Sequence, residues 1–394
     1  MSHAASITPV SPPAGRRLDI DNLRNIAVLL LILFHTARLF DAQSWHIKDA
    51  VHAGFADNLV RLMNQWHMPV LFLLAGISLA YALQRRAALA VARERVKRLL
   101  LPLVFGMLVI VPPQVYVERI SPQIANRQSP LDFHGSYWDF LPQIVDCCYP
   151  QANFSWHHLW FIAYLFVYAL LALPLIALLL RSGLAEKLAG HLAQGYRPLL
   201  LGLPVLLAEL LLRRSFPSSH DLTHDWANHA HYFYLLLLGW LIGAQPRLEA
   251  AIHALLRPAA LGAMVFTFLW LAGRDGTIQL PERVIFLCRF AGEMAWLFAF
   301  IGWAKLRLDR PVKFLTGFSR LAYPFYILHQ TVIILLGWAL LDWAVWWPVK
   351  FVAVALAATL ISYALCRAAD SNPLSRLALG LVPPRRNKAS RRGG

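Results

Sequence analysis

Acidic residues are scarce in this chain: 21 Asp and Glu stand against 37 Lys and Arg, and charged residues make up only 15% of its 394 positions. A soluble domain covers its surface with charge, so this small share argues against an ordinary globular enzyme. Cysteine is short as well. Cys147, Cys148, Cys288 and Cys366 show no metal-ligand spacing, so the sequence points to no cysteine-held metal and no disulfide framework. No internal repeat is detectable, which removes the usual mark of an inverted-repeat transporter. No cleavable signal peptide is expected either. The first fifteen residues are polar with Pro and Ser, and the apolar stretch that follows is long and succeeded by others.

What is abundant is apolar sequence, at 58% of the chain. Runs long enough to cross a hydrocarbon core of roughly 30 Å recur throughout. The pattern predicts an all-α polytopic membrane protein of about ten transmembrane helices, near 20–40, 60–83, 98–117, 159–180, 198–212, 232–246, 257–272, 284–304, 317–340 and 344–366. The fifth and sixth are close to the lower length limit for a span.

The net charge of +16 would suit a nucleic-acid partner, but its distribution does not. Segments on the N-terminal side of the bilayer carry more than twice the Lys and Arg of those opposite, which is the positive-inside pattern. Both termini are therefore expected in the cytoplasm of a multi-pass inner (plasma) membrane protein, with the lipid bilayer as partner and no nucleic acid. Three parts follow: a cytoplasmic tail over 1–19, a membrane domain over 20–367, and a basic tail over 368–394 whose Arg385, Arg386, Lys388, Arg391 and Arg392 suit anionic headgroups. Within the domain, 118–158 is rich in proline and aromatics and reads as an extracytoplasmic cap. A second loop, 213–231, gathers histidine and acid.

Chemistry enters with the first apolar segment. Arg24 and His35 are eleven positions apart, about three helical turns, so both project from nearly one face roughly 16 Å apart along the axis. An imidazole after ten mostly aliphatic residues is expensive in lipid and is expected to face a protein interior or a wet cavity, where it suits proton transfer. Asp21 lies one turn before Arg24 and can orient it by an ion pair. Arg95 and Arg98, at i and i+3, share a helical face and can clamp a phosphate. Gly76 and Ser78 permit close helix approach. His158 and Trp160 open the fourth span, and Tyr326 and His329 sit beside Pro324 in a late one, where a kink frees polar groups to line a cavity.

These residues resemble the membrane acyltransferase 3 family. The marks are Arg24 and His35 in the first helix, Arg95-x-x-Arg98 before the third, and Tyr323-x-x-Tyr326-x-x-His329 late in the chain. Leu18-Asp19-Ile20-Asp21-Asn22-Leu23-Arg24, Ser44-Trp45-His46-Ile47 and His158-Leu159-Trp160-Phe161 are similar to the branch that acylates periplasmic glucans, over about 17–370. One stretch departs: Asn25-Ile26-Ala27 stands where many members have more glycine.

The resemblance implies an acyl-CoA-dependent O-acyltransferase with no bound cofactor and no metal. Acyl-CoA is the co-substrate and a glycan is the acceptor. His35 would be the base or transient acyl acceptor, and Arg24, Arg95 and Arg98 would handle acyl-CoA at the cytoplasmic side. Asp21, His46, His158, Trp160, Tyr326 and His329 would hold the sugar or oxyanion, or support the site. The expected architecture is one aqueous tunnel from the arginines to His35. The alternative is a secondary transporter or exporter of a glycan or anionic small molecule, which fares worse because Glu293 is the main carboxylate seen within the spans.

Overall fold

The computed structural model describes residues 17–121 and 132–381. Among these the chain is all helix and turn. Eight helices are long and apolar enough to span a membrane: α1 Leu18–Ala37, α2 Gly54–Arg85, α3 Ala88–Arg119, α4 His157–Arg181, then, beyond further helices, α8 Leu256–Arg274, α9 Glu282–Arg307, α10 Ala322–Ala339 and α11 Trp347–Ala369. Those between include α5 Leu203–Leu212, α6 Trp226–Ala244 and α7 Pro246–Ala254. The last two join at a 103° bend and make a ninth candidate span as a pair.

The expected ten helices are thus corrected to eight or nine by length and composition. The fifth expected span, 198–212, is a 3-10 turn over Arg197–Gly202 followed by the ten residues of α5. Pro198 and Pro204 interrupt it, and proline removes an amide donor where a continuous helix needs one.

Apolar side chains face outward where no protein covers them. Leu261 and Phe268 of α8, and Leu356 and Leu360 of α11, are each more than 60% exposed. In water such a surface would associate; against lipid it is satisfied, and it marks the two helices as the bundle's rim. Helix α10 is the opposite case, with Phe325, Ile327, Ile333 and Ile334 wholly buried, so it runs through the centre.

Small residues and side-chain amides set the packing. α2 and α6 make the most extensive helix pair. A Cβ added at Gly76 would lie 1.9 Å from the Leu236 carbonyl oxygen, and one at Gly239 2.0 Å from that of Leu73. Only hydrogen fits there, as the glycine of the second span suggested. On α1, Asn22 donates to the carbonyls of Leu308 and Arg310 at 2.9 and 3.0 Å, and Asn25 to that of Leu315 at 2.9 Å. Asn22 thus caps carbonyls just beyond the end of α9, Asn25 adds a further bond to a carbonyl of the short helix Lys313–Phe318, and both tie α1 to the segment that follows α9. The stretch that replaces the family's glycines therefore begins with a structural clamp.

α3 is irregular, with π-helical turns over Val96–Leu100 and Gly106–Ile110 ahead of Pro112 and Pro113. Thr331 of α10 hydroxyl-bonds the Ile110 carbonyl at 2.8 Å, and Gln114 bonds both Thr331 and Gln330. Side chains of α10 thereby supply what the broken ladder lacks. Gly239→Val should cost about 1–3 kcal/mol or more by overpacking and lower the Tm of purified protein. Gly190→Ala, with nothing within 4 Å of the new methyl, should leave it unchanged. Equal melting curves for both would contradict the close α2–α6 contact.

Candidate active site

A chamber of about 910 Å³ opens at the end of the bundle where α1 finishes and α2 begins, and its lining includes His35, His46, His158, Trp160, Glu293 and Tyr326. Five residues singled out in the sequence thus meet in one space, and His329 lies immediately behind it.

His329 Nδ1 is 2.6 Å from the Tyr326 carbonyl oxygen, which can only accept, so this nitrogen carries a proton. In the neutral ring Nε2 is then a lone pair. His35 Nδ1 lies 2.8 Å from that Nε2 and must donate to it. The series ends at His35 Nε2, whose electron pair is unshared and belongs to a residue lining the chamber. Trp45 stacks parallel to the His35 ring at 6.1 Å, and Phe34 meets its edge at 4.9 Å, so the imidazole is clamped as well as oriented. α1 carries His35 and α10 carries both supports; Pro324, expected to kink a helix at its middle, instead lies in the first turn of α10, where its missing amide costs no helical bond.

His158 is arranged differently. Its Nε2 donates to the Ile327 carbonyl at 3.0 Å, which leaves Nδ1 as an acceptor, buried and without a partner. A buried acceptor left unmade costs free energy until a donor arrives, and a substrate hydroxyl is such a donor. Its ring centroid is 6.5 Å from that of His35. Tyr326 gives its one hydroxyl proton to the His158 carbonyl, and His329 has both ring nitrogens engaged. In this arrangement neither has a hydrogen-bond donor left over for a bound ligand. Trp160 has one face covered by His220, stacked at 4.1 Å. Burial pushes His220 down to about 4, so at neutral pH it is an uncharged aromatic plate.

Further side chains, among them His67, Glu118 and Glu209, were not picked out from the sequence. His67 Nε2 donates to the Ala27 carbonyl at 2.7 Å and ties α2 to α1 between Arg24 and His35. His46 Nδ1 lies 2.8 Å from Glu118 Oε2, and Glu118 is wholly buried. Across the chamber His231 stands between Glu209, at 2.8 Å, and Glu293, at 2.6 Å, each through a different ring nitrogen. Both nitrogens face carboxylates, so both donate. Arg213 clasps Glu209 at 2.6 and 2.8 Å. Carboxylates are thus more numerous inside the bundle than Glu293 alone. A lone acid in the apolar run Leu206-Leu207-Ala208-Glu209-Leu210 was the available signal for Glu209.

The arginines lie at the opposite end. Arg24 pairs with Asp21 at 3.2 Å and donates to Ser78 Oγ at 2.9 Å. Arg98 pairs with Glu94 at 3.1 Å, and Arg95 has a buried Nε without a hydrogen-bond partner while feeling the charges of Arg24, Arg86 and Arg98. Clustered guanidinium groups with an unmade donor are chemically suited to an anion, although Glu94 already pairs with Arg86 and Arg98. None of Arg24, Arg95 and Arg98 lines the chamber, whose apolar lining toward them is Leu31, Met68 and Met107. The expected continuous tunnel is therefore corrected to a blind chamber with an arginine corner beyond its floor. Leu31 is seven residues from Arg24, about 10 Å along α1.

A multi-pass helical bundle with a lone-pair imidazole in a central chamber fits group transfer within a membrane. Residues 17–367 match a family model described as an acyltransferase domain. The chain belongs to that acyltransferase family. No curated protein and no solved structure matches it.

His329→Ala frees His35 to take either tautomer, so acyl transfer should fall roughly 10²-fold or more while the protein still folds. Wild-type rates for that variant, in protein eluting as wild type from a sizing column, would remove the relay from the mechanism.

Proposed function

We propose that this chain moves an acyl group from cytoplasmic acyl-CoA to a glycan hydroxyl on the extracytoplasmic side of the inner membrane. One observation carries the reading: the Tyr326–His329–His35 relay aims a single unshared electron pair into a chamber, in a chain of the acyltransferase family. That pair serves either to take the hydroxyl proton or to accept the acyl group transiently.

The two ends suit the two substrates. The corner of Arg24, Arg95 and Arg98 matches the phosphates of CoA, and the positive-inside pattern puts it in the cytoplasm. A pantetheine arm some 16–20 Å long is of the order needed to reach His35 once the floor yields. Leu31, Met68 and Met107 are apolar, and two are unbranched thioethers that repack readily, so a thin arm can pass while charged CoA stays behind. At the other end, His158 Nδ1 offers the acceptor hydroxyl a waiting partner. The motifs around Arg24, His46 and Arg95 resemble glucan biosynthesis protein C, so a succinyl group and a periplasmic glucan are the proposed pair.

Two measurements test this. Mass spectrometry of envelope glycans from cells with wild-type protein should show an added acyl mass that His35→Ala abolishes; an unchanged glycan spectrum in that variant would remove His35 from the reaction. Arg95→Ala and Arg98→Ala should raise KM for acyl-CoA roughly 10–100-fold with a smaller effect on kcat, since each removes charge-assisted bonds made before chemistry. A fall in kcat alone would place the donor elsewhere.

A further inference from the structure

We propose that His46, held by Glu118, is the base that takes the acceptor's proton, which leaves His35 free to carry the acyl group. The inference rests on the acyl-transfer reading and divides its chemistry between two imidazoles.

The two rings line one chamber and are built alike but end differently. In each, Nδ1 is engaged and Nε2 has no hydrogen-bond partner among the described residues. The bonds behind His35 run through neutral His329 to a peptide carbonyl. Those behind His46 end on a carboxylate 2.8 Å away. Tyr149 donates to the same carboxylate at 3.0 Å, and Arg119 stands 3.9 Å from it. Burial and the Glu118 charge push the Tyr149 phenol up, so it keeps its proton and remains a donor. A proton arriving at His46 Nε2 therefore places positive charge directly against Glu118, while one arriving at His35 meets no anion along its relay. His46 is built to hold a proton and His35 to present a neutral nucleophile.

Chemical accounting requires such a division if an acyl-histidine forms. When His35 Nε2 attacks the thioester carbonyl, the C–S bond breaks, CoA leaves as thiolate, and Nε2 no longer has a pair to accept a proton. The Nδ1 proton of the resulting acyl-imidazolium passes to His329 Nε2, which already accepts it as a hydrogen bond. In the second half, the acceptor's O–H proton goes to His46 Nε2, directly or through one water, as its oxygen attacks the acyl carbon. The C–N bond breaks, its electron pair returns to His35 Nε2, and His329 hands back the Nδ1 proton. His46 then releases its proton to the water of the chamber mouth, and CoA thiolate takes one from the cytoplasm, so the sum is thioester plus alcohol to ester plus thiol.

His157 fixes the base in place. Its ring stacks on His46 at 4.2 Å and 12°, with Nδ1 2.7 Å from Ser155 Oγ. Candidate ligand atoms of His46, Glu118 and His157 lie within 4.8 Å of one another, a grouping that invites a metal. Face-to-face rings, however, send their in-plane lone pairs along parallel planes instead of toward one ion. The arrangement favours proton transfer.

The experiment uses purified full-length protein with labelled succinyl-CoA and acetyl-CoA as donors and extracted glycan as acceptor. Wild type should release about one equivalent of CoA in a burst before acceptor is added. His46→Gln and Glu118→Gln should keep that burst and remain acylated, yet transfer to glycan roughly 10²-fold or more slowly. Hydroxylamine, which needs no base, should discharge their acyl group at the wild-type rate; His35→Ala should show neither burst nor discharge. Glu118→Asp should recover part of the transfer, which a purely structural role for Glu118 would not require.

Wild-type transfer rates in His46→Gln overturn the proposal, as does loss of burst and transfer together in a normally folded variant. Transfer by wild type with no burst also overturns it, while leaving acyl transfer itself intact. Absence of any transfer by wild type with either donor counts instead against the underlying reading. A chelator effect reversed by zinc would replace the base with a metal centre and overturn the proposal too.

Discussion

One hydrogen bond donated to a peptide carbonyl sets the arrangement of imidazoles in this bundle. The Tyr326 carbonyl decides which nitrogen of His329 holds a proton; that decides the tautomer of His35, and hence where its free electron pair points. A backbone acceptor cannot be titrated or rotated away. In a site with so many imidazoles, each able to swap tautomers, such an anchor gives the set a single arrangement. The cost is that Tyr326 and His329 are committed to holding and have no donor left for substrate.

The same economy recurs in the scaffold. Buried polar groups in a bilayer need internal partners, and here they act as fasteners. Asn22 and Asn25 bond carbonyls of the segment after α9, Thr331 and Gln114 mend the proline break in α3, and His67 stitches α2 to α1. Helices meet closely where Gly76 and Gly239 bring backbone against backbone. The chamber survives because these fasteners, more than apolar packing alone, keep its walls apart and in register.

Sequence patterns reached the class and much of the site for a physical reason. Ionisable residues in apolar runs are costly and stand out, so Arg24 and His35, with Tyr326 and His329 near a proline, were visible through helical periodicity. What failed was everything that depends on the third dimension. Glu118 follows Tyr116-Val117 at the end of a span and looks like an interfacial charge; only folding buries it against His46. His158 and Tyr326 look alike as polar candidates until one proves to have a spare acceptor and the other to have spent its only donor. The fifth expected span dissolved because apolar composition says nothing of two prolines breaking a short helix.

The apolar floor of Leu31, Met68 and Met107 has an energetic meaning for the cell. A water-filled conduit wide enough for a pantetheine arm would conduct protons and small ions and drain the transmembrane potential. Under the proposed reaction, a shut floor would keep water at His35 from any route onward, and the donor's own chain would fill the gap while it is open. The protein would then work as an airlock, in which cargo passes without the membrane being short-circuited.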